Sequence, residues 1–470
     1  MMLAAGVFFW LARAFLALSP ALALNWPIKK IAALVGMAGA TAYCVFSGSD
    51  VAAERSLIMI LVMQGAILID RPALSMRNLA ISALIVLTRE PEALLGPSLQ
   101  MSYAAVAGLI AMAEWNRRRA GRTERSDLLG RALAWAGALA VATVATTLVA
   151  SLATAPFSGF HFQNLQPYGL LGNAATLPLV SFVVMPCAVL GTIAYPFGLD
   201  RPVWWAMGMG VQAVLGLAGW VASLGGSTVT VPAFGSGALL LFAGALLCAT
   251  LFVSGLRWLA VAPAALGLVA AFSAPRQDIY VARDGSGAAI RGREGRLVIV
   301  GRVPAFTVEQ WLKADGDARK PADPTVRSGS RCDPIGCTVQ LPDGRFVSYL
   351  EDRRGFGEDC RRAAMVLSRL AAPPGCAATI VIDRGFLAAH GASAVRATET
   401  GFSVVTSRRP DESRPWLSKG PARIAGSAAA PRARASPPGG PEQPGTEPRP
   451  ERSAEPDLPP AEAPDGDPGP

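Results

Sequence analysis

Side chains able to do acid–base or metal chemistry are scarce in this sequence, and the scarcity narrows its function. Two histidines occur in 470 residues, His161 and His390. A zinc hydrolase centre rich in histidine is therefore excluded. No glycine-rich phosphate loop, Ser-His-Asp set or pair of catalytic carboxylates stands out. The expected metal and cofactor content is none. Four of the seven cysteines fall late in the chain, at Cys332, Cys337, Cys360 and Cys376. Outside the cytoplasm an even count reads as two disulfides, with three connectivities open. Unpaired thiols are one alternative. A four-cysteine zinc site is another, although C-x4-C followed by widely spaced single cysteines fits it poorly.

The other candidates are polar residues set into apolar runs. PYGLLGNAATLPLVSFVVMP, residues 167–186, is long enough to cross a bilayer. Yet it contains Gly169, Gly172, Asn173, Thr176, Pro178, Ser181 and Pro186. Helix breakers are tolerated at membrane depth where protein packing or a wet cavity satisfies the freed backbone. Two readings stay open: a broken helix lining a pathway, or a kinked helix whose Asn173 bonds a neighbour. In PSLQMSYAAVAG, residues 97–108, Gln100 and Ser102 enter a helix headed by proline. In SGSDVAAERSLIM, Asp50, Glu54 and Arg55 stand where a helix meets an interface. Arg55 reads either as a solvated partner of Glu54 or as a contact for phosphate. His161 lies among Phe157, Phe160 and Phe162, in a segment expected to be an outer loop. An aromatic belt explains that cluster better than base stacking. Arg13 is explained by snorkelling.

The elements that must position these residues follow from composition. Hydrophobic residues make up 51% of the chain and charged residues 16%. The expected fold is a polytopic α-helical membrane domain of about ten spans over 1–274, a small α/β soluble domain over 275–408, and a disordered tail over 409–470 rich in Pro, Gly and Ala. The spans are placed at 3–22, 31–47, 56–70, 77–88, 98–114, 131–153, 169–195, 203–223, 236–254 and 258–273, the fourth being short. Alternate connections carry Lys29 and Lys30; Arg71 and Arg77; Arg117, Arg118, Arg119, Arg122 and Arg125; Arg201; and Arg257. The connections between them carry only Arg55 and Arg89, and 155–167 and 224–235 carry no Lys or Arg. By the positive-inside rule the first set faces the cytoplasm and the soluble domain lies outside. Met1 then also starts outside without a basic leader, and a chain missing upstream helices is expected.

In the soluble domain, strands are expected at DIYVAR, AAIRG, RLVIVG and TIVIDR, and helices at VEQWLKADGD and EDCRRAAMVLSRL. Lys and Arg exceed Asp and Glu there by about five, mildly favouring an anionic partner. Cys44, Cys187 and Cys248 fall in the spans and read as core residues.

Three stretches, taken in order, resemble the competence domain of the ComEC family. They are SGSDVAAERSLIMILVMQGAILIDRPALSMRNLAISALIVL, EPEALLGPSLQMSYAAVAGL and FHFQNLQPYGLLGNAATLPLVSFVVMPCAVLGTIAYPFGLD. That family carries one strand of incoming DNA across the bacterial inner membrane during natural transformation. The likeness spans about 6–274. It implies that Arg55, Gln100, Ser102, His161, Asn173, Pro178 and Ser181 are candidate DNA-pathway residues, none of them catalytic. Family members typically begin with further helices and an OB-like domain, which are missing here. Many end in a metallo-β-lactamase-like domain with a clustered His/Asp motif. The ending here, with EQWLKADGDAR, RCDPIGC and VIDRGFLAAHGA, looks like the divergent, metal-free version, so the chain is not expected to be an enzyme. The implied partners are single-stranded DNA, the lipid bilayer, other competence-machinery proteins, a separately encoded N-terminal part and further copies of the chain. Two rival readings are a secondary transporter for a small solute, which would need intramembrane carboxylates, and an inactive remnant or structural membrane protein.

Overall fold

The computed structural model describes residues 2–19, 24–119, 128–252 and 254–408. The expected tail at 409–470 and the middle of the basic loop, with Arg122 and Arg125, lie outside these residues.

Before Pro275 the described residues are mainly helical. In order come α1 (Met2–Ala17), α2 (Ile28–Phe46), α3 (Val51–Leu68), α4 (Met76–Arg89), α5 (Pro97–Arg119) and α6 (Leu128–Phe162). Then α7 (Gly169–Leu179) runs through a wide π turn (Val180–Val184) into α8 (Met185–Ala194), followed by α9 (Arg201–Ser223), α10 (Ser236–Leu251) and α11 (Val261–Phe272). Among the described residues, six helical stretches are long and apolar enough to cross a membrane: Ile28–Phe46, Val51–Leu68, Ala140–Phe162, Gly169–Phe197, Arg201–Ser223 and Gly255–Phe272. Ala5–Ala17 and Ser236–Leu251 are apolar but shorter. Phe15, Phe46, Trp205, Trp258 and Phe272 are 70–90% exposed, a distribution that suits lipid rather than water.

Lipid offers no hydrophobic force between helices, so close contact must come from small residues. On α2, Ala32, Ala33, Gly36, Gly39 and Ala40 are all buried. A Cβ on Gly36 would stand 3.2 Å from the Ala5 carbonyl oxygen, and one on Gly39 would strike the Phe8 ring. Gly108 of α5 does the same against Val149 of α6, and Gly191 of α8 against Trp204 of α9. At the π turn, Gly210 of α9 makes room for Val183 and Val184. That turn follows Pro178, whose ring crowds the preceding carbonyls and supplies no N–H. The break expected within 167–186 is thus a widened turn in a continuous rod.

A second difference concerns α6. It continues through Pro156 to Phe162, so His161 stands in the last helical turn and not in a loop. One missing N–H costs a single ladder bond. Packing outweighs it: Phe157 is buried with Ala104 and Leu239, and Phe160 and Phe234 lie against the same cluster.

After Pro275 the chain forms two five-stranded sheets, of strand order β12-β11-β3-β4-β5 and β10-β9-β8-β7-β6. Their strands include β3 (Ile279–Val281), β4 (Gly287–Arg291), β5 (Leu297–Gly301), β6 (Ser330–Cys332), β7 (Gly336–Gln340), β8 (Phe346–Leu350), β9 (Met365–Ser368) and β10 (Ile380–Ile382), with the hairpin β11 (Ser393–Thr398) and β12 (Gly401–Thr406). Alternation along the strands sorts side chains between two cores. Ala288, Ile290, Val298 and Val300 meet Val347, Tyr349, Met365 and Leu367 between the sheets. Their neighbours Ala289, Leu297 and Ile299 turn outward onto α12 (Ala305–Asp315), against Val308 and Leu312. Leu350 and Val366 likewise meet Phe356 and Cys360 of α13 (Phe356–Arg362). The order is helix, sheet, sheet, helix.

The expected helix over EDCRRAAMVLSRL stops at Arg362, and Met365–Ser368 is a strand. All four strand residues are buried, because β9 pairs in parallel with both β8 and β10. A buried central strand reads as a continuous apolar run and is easily mistaken for helix. Disulfides join Cys332 to Cys337 and Cys360 to Cys376. Cys44, Cys187 and Cys248 are free, the first buried and the others half-buried.

One ion network is built into the sandwich. Arg291 Nε donates to Asp278 Oδ1 at 2.9 Å, and Nη2 donates to Asp315 Oδ1 at 2.5 Å. The carbonyls of Gly295 and Gln277 take the remaining N–H groups. A buried charge persists only when satisfied in this way.

Two tyrosines tie the sandwich to pH. Burial, and then the Asp315 carboxylate, push Tyr280 up to about 12. Burial, and then Glu351, push Tyr349 up to about 12, and its hydroxyl bonds to the Ser286 carbonyl at 2.9 Å. A phenol whose folded pKa is raised stabilises fully below its unfolded value of 10.0 and loses that contribution as pH climbs to about 12. The thermal unfolding temperature of the chain in detergent should therefore fall between about pH 10 and pH 12. The fall should be shallower in Tyr280→Phe and Tyr349→Phe; an unchanged slope in both would refute the assignment.

Candidate functional site

Three of the seven candidate residues meet at the junction between α4 and α5. Arg89 ends α4, Glu90 follows, and Pro91–Leu95 forms a tight 3-10 turn before α5 starts at Pro97. Proline at each start suits a first turn that needs no N–H there. The turn presents the Leu94 carbonyl to Gln100, whose Nε2 donates to it at 2.9 Å. Gln100 Oε1 then faces His161 Nε2 at 2.8 Å. Because the carbonyl can only accept, the amide orientation is fixed, and His161 must carry its proton on Nε2. One glutamine thus joins a turn, the first turns of α5 and the last turn of α6.

Arg55 reaches the same junction from α3. Its residue surface is 8% exposed, and Nη2 lies 3.6 Å from Glu90 Oε2. Glu54 pairs with Arg89 at 3.1 Å. The two acidic–basic neighbours therefore bind crosswise between helices, not each other. Ser102 stays within its helix, its hydroxyl bonding the Ser98 carbonyl at 2.6 Å. The structure gathers Arg55, Gln100 and His161 around residues 90–95.

Asn173, Pro178 and Ser181 are exposed on α7 and the π turn. Among the described residues, the side chains of Asn173 and Ser181 have no hydrogen-bond partner. The phenylalanines near His161 divide: Phe157 is buried and Phe162 is exposed. The ring of Phe160 stands edge-on to His161 at 5.0 Å and 5.7 Å from Phe234.

Beyond His161 the chain turns through Gln163, at φ +53, into β1 (Asn164–Leu165), which pairs antiparallel with β2 (Val229–Thr230). Val231 N–H donates to the Gln163 carbonyl at 2.8 Å. The same outer strap touches the sandwich. Ala233 N–H donates to the Ala314 carbonyl at 2.9 Å, near the C-terminal end of α12. Pro232 packs on Gly316, which ends α12 at φ +80 and where a Cβ would stand 2.7 Å from the proline ring. The sandwich and His161 thus belong to the same end of the bundle. Lys30, paired with Asp70 at 2.7 Å, and Arg257, over the Trp115 ring at 4.5 Å, mark the other end.

Sequence reading missed a second polar group between α3, α4 and α5. Asn78 and Ser82 of α4 are 4% and 1% exposed. Asn78 Nδ2 donates to the carbonyls of Pro72 and Ala73, and the Ser82 hydroxyl to Leu79. The buried Tyr103 hydroxyl is directed at Ser82 without reaching full hydrogen-bond geometry. A cavity of about 10 Å³, room for one water, lies beside Ser75, Asn78 and Ser82. The available signal was the four-residue spacing of Asn78 and Ser82, which puts two polar groups on one face of a short apolar helix. In the sandwich, His390 stacks on Phe386 at 4.4 Å, a packing contact. Among the described residues, no three of His, Cys, Asp or Glu group as a metal site would require.

The Gln100–His161 bond should be measurable. Gln100→Leu and His161→Phe should each lower thermal stability, and the double variant should recover about 0.5–1.5 kcal/mol of their sum. Strict additivity in that cycle would mean that the bond is not formed.

The competence protein family matches residues 1–256, from α1 through α10. Competence protein ComA of Neisseria gonorrhoeae is 32% identical over 192 residues, which is 41% of this chain and 24% of that protein. The chain therefore spans about a quarter of the length of that relative, of which it covers 24%. No solved structure matches it. The match takes in Arg55, Gln100 and His161 with the helices that bring them together, and the chain belongs to the competence protein family.

Proposed function

We propose that this chain is the membrane part of a DNA-uptake channel, passing one strand across the bacterial inner membrane. The observation that carries the reading is the gathering of Arg55, Gln100 and His161 at one end of a bundle that belongs to the competence family. A polyanion cannot cross hydrocarbon, since each bare charge costs several kcal/mol or more. It needs donors held in a pathway that lipid does not reach. The Arg55 guanidinium and the second N–H of the Gln100 amide supply them without a metal or a catalytic step, and His161 holds that amide in place.

The finer assignments belong to the same reading. Ten helical segments cross the bilayer, including the short α4 and the polar α5. The end with Lys30 and Arg257 faces the cytoplasm by the positive-inside rule. The sandwich faces outward, where its two disulfides would persist. Residues 275–408 are a degenerate metallo-β-lactamase-like domain without nuclease activity, supported by sequence resemblance and by two sheets flanked by helices. Asn173, Pro178 and Ser181 line the route on α7, where their exposure leaves them available to a strand or to a further subunit. Single-stranded DNA, other competence proteins, a separately encoded N-terminal part and further copies are the partners.

In a transformable host relying on this gene, Gln100→Leu and His161→Phe should each reduce transformants about tenfold or more with membrane abundance unchanged. Paired substitution of Asn173 and Pro178 should do the same. Normal transformation in all three strains would dispose of the reading. For orientation, a cysteine at Thr325 should react with a membrane-impermeant maleimide in intact spheroplasts, and one at Lys29 should not. The reverse pattern would invert the topology.

A further inference from the structure

The α3–α4–α5 interface holds an unspent cation. Arg55 is 8% exposed, and its Nε and Nη1 are buried without a hydrogen-bond partner among the described residues. Its carboxylate neighbour, Glu90, is 3.6 Å from Nη2, beyond hydrogen-bond reach. A buried guanidinium with free N–H groups is costly unless something accepts from them. Glu54 and Arg89, which lie closer to solvent, already satisfy each other. The donor surplus continues inward. Tyr103 of α5 lies within reach of the Arg55 charge, and its buried hydroxyl is directed at Ser82 without reaching full hydrogen-bond geometry. Deeper along the same three helices come Ser82, the small cavity and Asn78.

We propose that Arg55 and the Tyr103 hydroxyl form a binding site for one phosphate-sized oxyanion, with Glu90 as an internal competitor for the guanidinium. Three features support an oxyanion over water alone. The unpartnered groups include the two Arg55 nitrogens, which are donors only, and the Tyr103 phenol beside them can turn from Ser82 to donate. The site lies at the end of the bundle that holds His161, about one helical turn inside the start of α3. And the pairing with Glu90 is loose enough to be displaced. This deepens the channel reading and rests on it for the identity of the oxyanion, a phosphodiester of a single strand.

The test uses the full chain in lipid nanodiscs, with inorganic phosphate and a short oligothymidylate as separate probes and thermal unfolding as the control for folding. Arg55→Gln should weaken phosphate binding about tenfold, and Tyr103→Phe a few-fold with an unchanged unfolding temperature. Glu90→Gln should strengthen it, because the competitor is removed. A purely structural Arg55–Glu90 pair gives another result: both Arg55→Gln and Glu90→Gln lower the unfolding temperature and neither changes phosphate binding. That result overturns the site. Phosphate binding that follows the expected order while oligothymidylate fails to compete would keep the oxyanion site and sink the DNA reading. Oligothymidylate binding that ignores all three substitutions would sink the site and spare the DNA reading.

Discussion

Everything at the His161 end depends on how one amide is used. Gln100 gives its N–H to Leu94 and its oxygen to His161, so a single side chain satisfies a turn carbonyl and an imidazole. Removing it would cost both bonds, at about 0.5–1.5 kcal/mol for each. The bond also has a positional consequence. It fixes the end of α6, and the end of α6 fixes β1, which holds β2, from which the strap at Pro232 and Ala233 reaches the sandwich. The site and the sandwich are therefore connected through backbone contacts a few residues long.

Two solvents act on one chain, and the side-chain pattern inverts between them. In the bundle, small residues point inward and large apolar ones outward. Gly36, Gly39 and Ala40 are buried while Phe46 is 90% exposed. In the sandwich the large residues are inside, with Ile279, Ile290, Leu367 and Ile382 completely enclosed. Water drives the second arrangement, at roughly 25 cal/mol per Å² of apolar surface removed. Lipid supplies no such force, so the first depends on shape and on the few polar bonds between helices. This is why the polar residues of the bundle carry so much of its specificity, and why those without partners stand out.

Run length and composition made the helices legible, and alternation made β3, β4, β5 and β10 legible. Both are local signals. What depended on distant partners was not readable. Gln100 and His161 are 61 positions apart, and nothing near either names the other. Tyr103 looked like part of an ordinary apolar run until Arg55 and Ser82 were placed beside it. β9 looked helical because its pattern records burial on both faces. Pro156 suggested a helix end that packing against Phe234 overrides. The cysteines left three connectivities open, and a local fact settles one pair: the β6–β7 register sets Cys332 opposite Cys337. The exposure of Asn173 shows the converse, since its type announced a polar contact that the described residues do not supply.

The strap explains why a glycine ends α12. A helix leaves its last carbonyls without internal partners. Gly316, at φ +80, turns the chain away so that its own N–H meets the Lys313 carbonyl, while the Ala314 carbonyl stays free to accept from Ala233. The missing Cβ then gives Pro232 the space to lie against the cap. Proline can take that place because its missing N–H forfeits nothing on a surface where the bonding is done by the next residue. The cap and the docking contact are thus the same few atoms. A side chain at position 316 would meet the unfavourable left-handed backbone and the proline ring together, so helix termination and domain attachment cannot change independently.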